Sequence, residues 1–247
     1  VPSRSRTITL VGAHNFRDLG GYPAGDFQTR WGQLYRSDAL QELTESDVAV
    51  VRRLGLRSIV DLRTAGEAEQ TGRGRMAGEP VTYIDVSVSQ DAAAARPSDW
   101  STADDDVLVT RYMAYLETGG EAFVRALRFM ADEDTLPMVF HCFFGKDRSG
   151  VLAALVLDCL GVDREAIVAD YALSASAMPS LLAALARDPV YRDTIERTAP
   201  ARLAATATTM EGFLARLDER HGGAANWAGQ GGLQSGEILA LRRLLLE

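Results

Sequence analysis

Short apolar runs of strand length alternate with helical periodicities through the first part of the chain, and helical spacing takes over afterwards. Residues 7–13 (ITLVGAH), 31–36 (WGQLYR), 56–62 (LRSIVDL), 81–88 (VTYIDVSV) and 136–140 (LPMVF) predict strands. Thr44, with Asp47 three residues on, forms a variant capping box. Val48, Val51 and Leu54 then share one face, and Gly55 stops that helix. Residues 106–117 and 120–132 predict two helices, the second with Phe123, Leu127 and Met130 as a core stripe. Residues 149–160 (SGVLAALVLDCL) are mostly apolar, the mark of a buried helix, and Gly161 is its C-cap. Another helix covers 163–176, and 177–220 reads as helical with interruptions at Pro179, Pro189 and Pro200. Ser235 caps the last helix, which ends at Leu246. Residues 89–106 carry no period and predict a long surface excursion, with Asp104, Asp105 and Asp106 as an acidic helix start.

Strands alternating with helices early and an almost wholly helical second half predict an α/β fold. A central sheet would be flanked by helices, with an extra helical layer contributed by the C-terminal half. No repeat or clean linker divides the chain, so one domain over 1–247 is expected, with 175–220 as a candidate helical lid. The 47% hydrophobic and 24% charged content fits a soluble globular protein. A net charge of −8 argues against nucleic acid or an anionic membrane as the main partner. No N-terminal run has signal-peptide length, and no segment reaches the ~18 apolar residues of a membrane span. Cys142 and Cys159 are too few for a disulfide framework and read as free thiols. A cytoplasmic location is expected, and export without a visible signal stays compatible with the sequence.

The chemistry concentrates in 136–150, LPMVFHCFFGKDRSG, where an apolar strand runs into a cysteine and then into a buried helix. The N-terminus of that helix offers free N–H groups and the positive end of its dipole. Gly145 lets successive N–H groups turn inward as an anion nest, and Arg148 adds a planar fork suited to oxyanions. Such a field favours the thiolate of Cys142. The same cradle would hold a phosphate or its transition state. Lys146 is the only lysine of the chain against 25 arginines. Asn15-Phe16-Arg17-Asp18 precedes a Gly-Gly-Tyr-Pro turn, where an Arg17–Asp18 ion pair would simply lock the loop. Asp61-Leu62-Arg63 closes a strand, with Glu67 beyond it as a natural partner for Arg63.

His141-Cys142 followed by Arg148-Ser149 resembles the signature of the protein tyrosine phosphatase superfamily. The fuller HCFFGKDRSG resembles an atypical bacterial branch with a Gly-Lys-Asp-Arg loop and tyrosine, dual-specificity and phosphoinositide phosphatases among its members. Asn15–Asp18, Asp61–Arg63 with Glu67, and Asp170-Tyr171 with Ser174 carry the resemblance to about residue 175. It implies a cysteine-phosphatase fold with a largely parallel sheet and a phosphomonoester hydrolase acting through a cysteinyl-phosphate. By motif, Cys142 is the nucleophile and Arg148 the phosphate clamp, while the backbone of Phe143, Phe144, Gly145, Lys146, Asp147 and Arg148 forms the cradle. Ser149 would assist departure of the thiolate and His141 would orient the loop. Asn15, Arg17, Asp18, Asp61 and Arg63 would support the pocket. No metal and no cofactor are implied.

The proton donor is expected to be an aspartate, with Asp91, Asp147 and Asp85 as candidates in that order. Lys146 is expected either to hold a second anionic substituent or to neutralise Asp147. Phe144 is bulky where related loops carry a small residue, which would narrow the pocket mouth. The expected partners are phosphorylated substrates: phosphotyrosine-type protein or phosphoinositide, with a phosphorylated small metabolite such as a nucleoside or sugar phosphate as the alternative.

Overall fold

The computed structural model describes residues 5–88, 105–187 and 203–247. Its main sheet has the order β1-β4-β7-β5-β6, with β1 (Arg17–Asp18), β4 (Leu34–Ser37), β5 (Ser58–Asp61), β6 (Thr82–Asp85) and β7 (Met138–His141). β1 runs antiparallel to β4, and the other neighbours are parallel. β2 (Pro23–Ala24) and β3 (Phe27–Gln28) form a separate hairpin.

Alternation along each strand divides two cores. Leu34, Val60, Ile84, Met138 and Phe140 point into the larger one. Tyr35, Ile59 and Val139 point into the smaller, where α1 (Glu45–Arg53) contributes Val48 and Val51. α1 opens on the predicted capping box, with Thr44 accepting from the Asp47 amide and Asp47 reaching back to Thr44. The larger core is covered by α3 (Asp105–Met130), α4 (Asp147–Leu160), α5 (Arg164–Leu185), α6 (Ala207–His221), α7 (Ala224–Gln230) and α8 (Ser235–Leu245). Between β5 and β6 lie the short α2 (Ala65–Thr71) and a 3-10 turn over Gly74–Gly78.

Several expectations are corrected. Residues 7–13 form no strand and contribute only an isolated bridge from Thr7 to Arg17. The two helices expected over 106–132 are one, α3, which runs straight through Gly119 and Gly120. Those glycines serve packing rather than termination, since a Cβ on Gly119 would meet Val88 at 3.0 Å and one on Gly120 would meet Trp227 at 3.4 Å. α5 likewise continues through Pro179. It is also long and apolar enough, at a mean hydropathy of 1.3, to meet the criterion for crossing a membrane, although 44% of that window is buried in the fold. A core helix meets the same criterion. Within 175–220, α6 contributes Met210, Phe213, Leu214 and Leu217 to the main core. Residues 188–202 lie outside the described residues, as do 89–104.

Candidate active site

β7 is a central strand, flanked by β4 and β5, and it delivers Cys142 at its carboxyl end. The chain then turns through residues 143–146 into α4, whose first turn contains Asp147, Arg148 and Ser149. Gly145 has φ +67°, and a Cβ there would lie 2.5 Å from the Asp38 amide nitrogen and 2.6 Å from the Ser37 carbonyl. Only glycine satisfies both the left-handed turn and the close approach to β4.

Three consecutive carbonyls of the loop are held by neighbours. Phe143 O accepts from the Ala39 amide at 3.1 Å, Phe144 O from Asn15 Nδ2 at 3.3 Å, and Gly145 O from Arg36 Nη2 at 2.7 Å. In a planar trans peptide the N–H of the next residue points the opposite way. The N–H groups of Phe144, Gly145 and Lys146 are thereby turned from those partners and toward the inside of the loop. Together with the free N-terminus of α4 they make an anion nest beside Cys142.

Arg148 is buried and forms a two-point pair with Glu67, Nη1 to Oε2 at 2.6 Å and Nη2 to Oε1 at 2.9 Å. Nη1 also donates to Leu62 O. Burial works against its charge, but the Glu67 bonds and the nearby Cys142 sulfur raise its pKa above the ordinary arginine value. The expected Arg63–Glu67 pair does not form. Arg63 instead grips Asp61 through Nε and Nη2, and it reaches Thr71 Oγ1 and Gly72 O. Burial pushes Asp61 up, yet His141 and Arg63 hold its carboxyl down to about 2. His141 is fully buried, which lowers its pKa, so the neutral ring predominates at neutral pH. Its Nδ1 lies 3.2 Å from Cys142 O, in keeping with a role in orienting the loop. Ser149 Oγ is buried without a hydrogen-bond partner among the described residues.

The other side of the loop is organised by Asp170 on α5. Arg17 Nε binds its Oδ1 at 2.9 Å, Arg36 Nη1 its Oδ2 at 2.6 Å, and the Tyr22 hydroxyl donates to Oδ1 at 2.8 Å. Burial opposes ionisation of Asp170, but the two guanidiniums keep its pKa well below the usual carboxylate range. Asn15 links Arg17, Phe144 O and Ser174. The expected Arg17–Asp18 pair does not form: Arg17 goes to Asp170, and Asp18 accepts from the Gly20 and Gly32 amides in the turn.

Lys146 is buried, with Nζ 3.1 Å from Asp147 Oδ1 and donating to Ala204 O at 3.0 Å. Asp147 Oδ1 also accepts from Tyr112 OH at 2.7 Å. Burial raises Asp147, but Lys146, Arg111 and the Tyr112 hydroxyl bring it to about 2, so it is ionised at neutral pH. Of the other aspartates expected as proton donors, Asp85 is paired with Arg73 and its side chain is 66% exposed, while Asp91 lies outside the described residues. Phe144 stacks edge-on with Phe143 at 5.2 Å and packs against Ala177, Met178 and Leu181 of α5. Both cysteines are free and buried, and burial pushes Cys159 up to about 12.

Four residues were missed as site members by sequence reasoning: Arg36, Asp38, Tyr22 and Tyr112. Arg36 ends a predicted strand, which is the one signal that could have pointed to it.

Residues 8–247 match the model of the tyrosine phosphatase family, and the chain belongs to that family. It is 28% identical to the triple specificity protein phosphatase PtpB of Mycobacterium tuberculosis, over 96% of this chain and 98% of that one. A Cupriavidus necator protein carrying a tyrosine-protein phosphatase name is 32% identical over 69% of this chain and 67% of its own length. The catalytic core of the PP-IP phosphatase SIW14 from S. cerevisiae aligns over 89% of this chain and 97% of that one, at 16% identity and a TM-score of 0.39. The protein is a cysteine-dependent phosphatase of the tyrosine-phosphatase type.

Proposed function

We propose that the protein hydrolyses phosphomonoesters on phosphotyrosine-type protein or phosphoinositide substrates, with Cys142 as nucleophile, Arg148 as phosphate clamp and no metal requirement. The observation that carries this reading is the loop itself. A cysteine at the end of a central strand faces a nest of N–H groups whose carbonyls are tied outward, beside an arginine aimed by Glu67. Cys142 Sγ attacks phosphorus as the bond to the leaving oxygen breaks, and that oxygen takes a proton from a carboxylic acid. Water then attacks the phosphocysteine, the S–P bond breaks, and the carboxylate takes the proton from water. The cradle and Arg148 stabilise the charge on the non-bridging oxygens in both steps.

Asp147 and Asp91 stand as the acid. Asp147 holds no proton at neutral pH in the free protein. A phosphate dianion bound beside it pushes its carboxyl up, and that is the condition under which it would serve. The remainder of the substrate would meet a groove lined by His14, Gln41, Phe143, Leu181 and Arg187, mixed in charge and apolar surface. The triple specificity in the name of the Mycobacterium tuberculosis relative supports a range wider than phosphotyrosine. A phosphorylated small metabolite is the second reading, favoured by the burial of Cys142 and Arg148, at 1% and 4% exposure.

Purified protein should release phosphate from an aryl phosphate in the presence of EDTA, and Cys142→Ser should abolish release. Activity lost to EDTA, or retained by the serine variant, would overturn the mechanism. Asp147→Asn and Asp91→Asn are compared on good and poor leaving groups, and the true acid matters more for the poor one. Phosphopeptides, phosphoinositides, nucleotides and sugar phosphates assayed side by side decide between the substrate classes.

A further inference from the structure

Charges around the loop are paired across elements. Lys146 faces Asp147, Arg148 faces Glu67 and Arg63 faces Asp61. Arg17 and Arg36 share the single carboxylate of Asp170. The Tyr22 hydroxyl in the same cluster is a donor to Asp170, and burial raises its pKa far above the phenol range, so it adds no negative charge. Asp38, the buried carboxyl next to Ser37, accepts from the His14 and Asn15 amides and the Ser37 hydroxyl, and burial pushes it up. At Asp170 itself two guanidiniums face one carboxylate.

Arg36 is the most deeply buried of these cations, its side chain 0% exposed. Burial and the neighbouring Arg17 push it down to about 10, while Asp170 and the Cys142 sulfur pull it back up, so it is a cation at neutral pH. The influence is mutual: a cation stabilised by a thiolate stabilises that thiolate equally. Arg36 also holds the Gly145 carbonyl at 2.7 Å, and the same peptide carries the Lys146 N–H.

We propose that Arg36 is a positioning residue of the phosphatase reaction, a second buried cation besides Arg148 that favours the Cys142 thiolate and, through the Gly145 carbonyl, aims the Lys146 N–H at the phosphate. This inference rests on Cys142 as the nucleophile. Its two parts separate by substitution, because Arg36→Met removes charge and hydrogen bonds together. Arg36→Lys keeps the charge and loses the fork that spans Asp170 and Gly145 O.

Wild type, Arg36→Met and Arg36→Lys are alkylated with iodoacetamide across pH, and the modified cysteine is identified by peptide mass spectrometry. Peptide identification follows Cys159 separately, and burial pushes its thiol up to about 12, outside the range scanned for Cys142. The Cys142 profile of Arg36→Met should move to higher pH by about one unit, while that of Arg36→Lys stays within about 0.3 of wild type. Inhibition by inorganic phosphate should weaken several-fold in Arg36→Lys. A methionine profile that superimposes on wild type, or methionine and lysine profiles shifted alike, overturns the charge role. Unchanged phosphate inhibition in the lysine variant overturns the aiming role. Should Arg36→Met fail to fold, the lysine variant decides. A full-unit shift with the charge retained overturns the inference, and an unshifted profile with weakened phosphate binding supports it. Failure of the underlying reading looks different, because Cys142→Ser would then still release phosphate.

Discussion

Two arginines serve the loop under opposite conditions. Arg148 pairs with Glu67, whose side chain is 23% exposed, whereas Arg36 pairs with Asp170, whose side chain is 1% exposed. Glu67 can re-solvate, and it is tethered locally by the Thr64 capping box of α2. Asp170 is bound by two guanidiniums and a tyrosine, and its carboxylate is shielded from solvent. With Arg148 as the proposed clamp and Arg36 as the proposed support, the difference would separate a side chain that adjusts as phosphate enters and leaves from one that has no such freedom. Both guanidiniums are buried, so losing either partner strands a charge, but water can reach the Glu67 position and not that of Asp170.

That contrast can be broken by substitution. Asp170→Asn should cost about 3–5 kcal/mol in denaturant unfolding, because it strands two buried guanidiniums; a loss below about 1 kcal/mol would mean the support is dispensable. Arg148→Ala should lower kcat/KM by about 10²–10³-fold while the folded state persists, as expected when one donor to a transition-state oxyanion is removed. A melting curve that collapses along with activity would place Arg148 among the supports instead. Glu67→Gln is milder. Stability should fall by less than the ~3–5 kcal/mol of a fully buried pair, because the glutamine amide oxygen still accepts from the guanidinium and water reaches this position. The kcat should fall about tenfold as the guanidinium loses its aim.

The gentlest probe is acid. Asp61 and Asp147 are held at about 2, below their ordinary 3.8. Their contribution to stability is complete above 3.8, where both the folded and unfolded forms are ionised. It is lost as the pH falls toward about 2, because the unfolded chain takes up protons first. Urea midpoints should decline gently below about pH 6.5, where the unfolded chain protonates His141 and the buried ring does not. They should fall more steeply below about pH 4 as Asp61 and Asp147 add their loss; a curve with no second break below pH 4 would remove the two aspartates from the account.

The loop was legible in the sequence because its parts are contiguous: strand, cysteine, left-handed glycine, arginine and buried helix follow one another within 136–160. α1 was legible for the same reason, through Thr44 and Asp47. Arg36 and Asp170 lie 134 residues apart, and no local spacing announces their pairing. Arg17 beside Asp18, and Arg63 four residues before Glu67, suggested partners by proximity in the chain. The fold gives three of these four a different partner: Asp170 for Arg17, Asp61 for Arg63 and Arg148 for Glu67. Proximity in sequence misled because β-strand ends gather charges from distant elements, and a fully buried guanidinium takes whichever carboxylate completes its desolvated shell. The spacing predicts a gap at 118–119 between two helices and an interruption at Pro179, where α3 and α5 run through because tertiary packing outweighs local propensity.

The single lysine of the chain sits 1% exposed at the N-cap of α4. An endoprotease that cuts after lysine therefore has one target, the peptide joining Lys146 to Asp147, and would release fragments 1–146 and 147–247. That peptide can enter a protease only after the cradle has come apart. Cleavage kinetics under native conditions thus report how often the catalytic loop opens, with no label or added reporter. A phosphate analogue that closes the cradle should slow the cut in proportion to its occupancy.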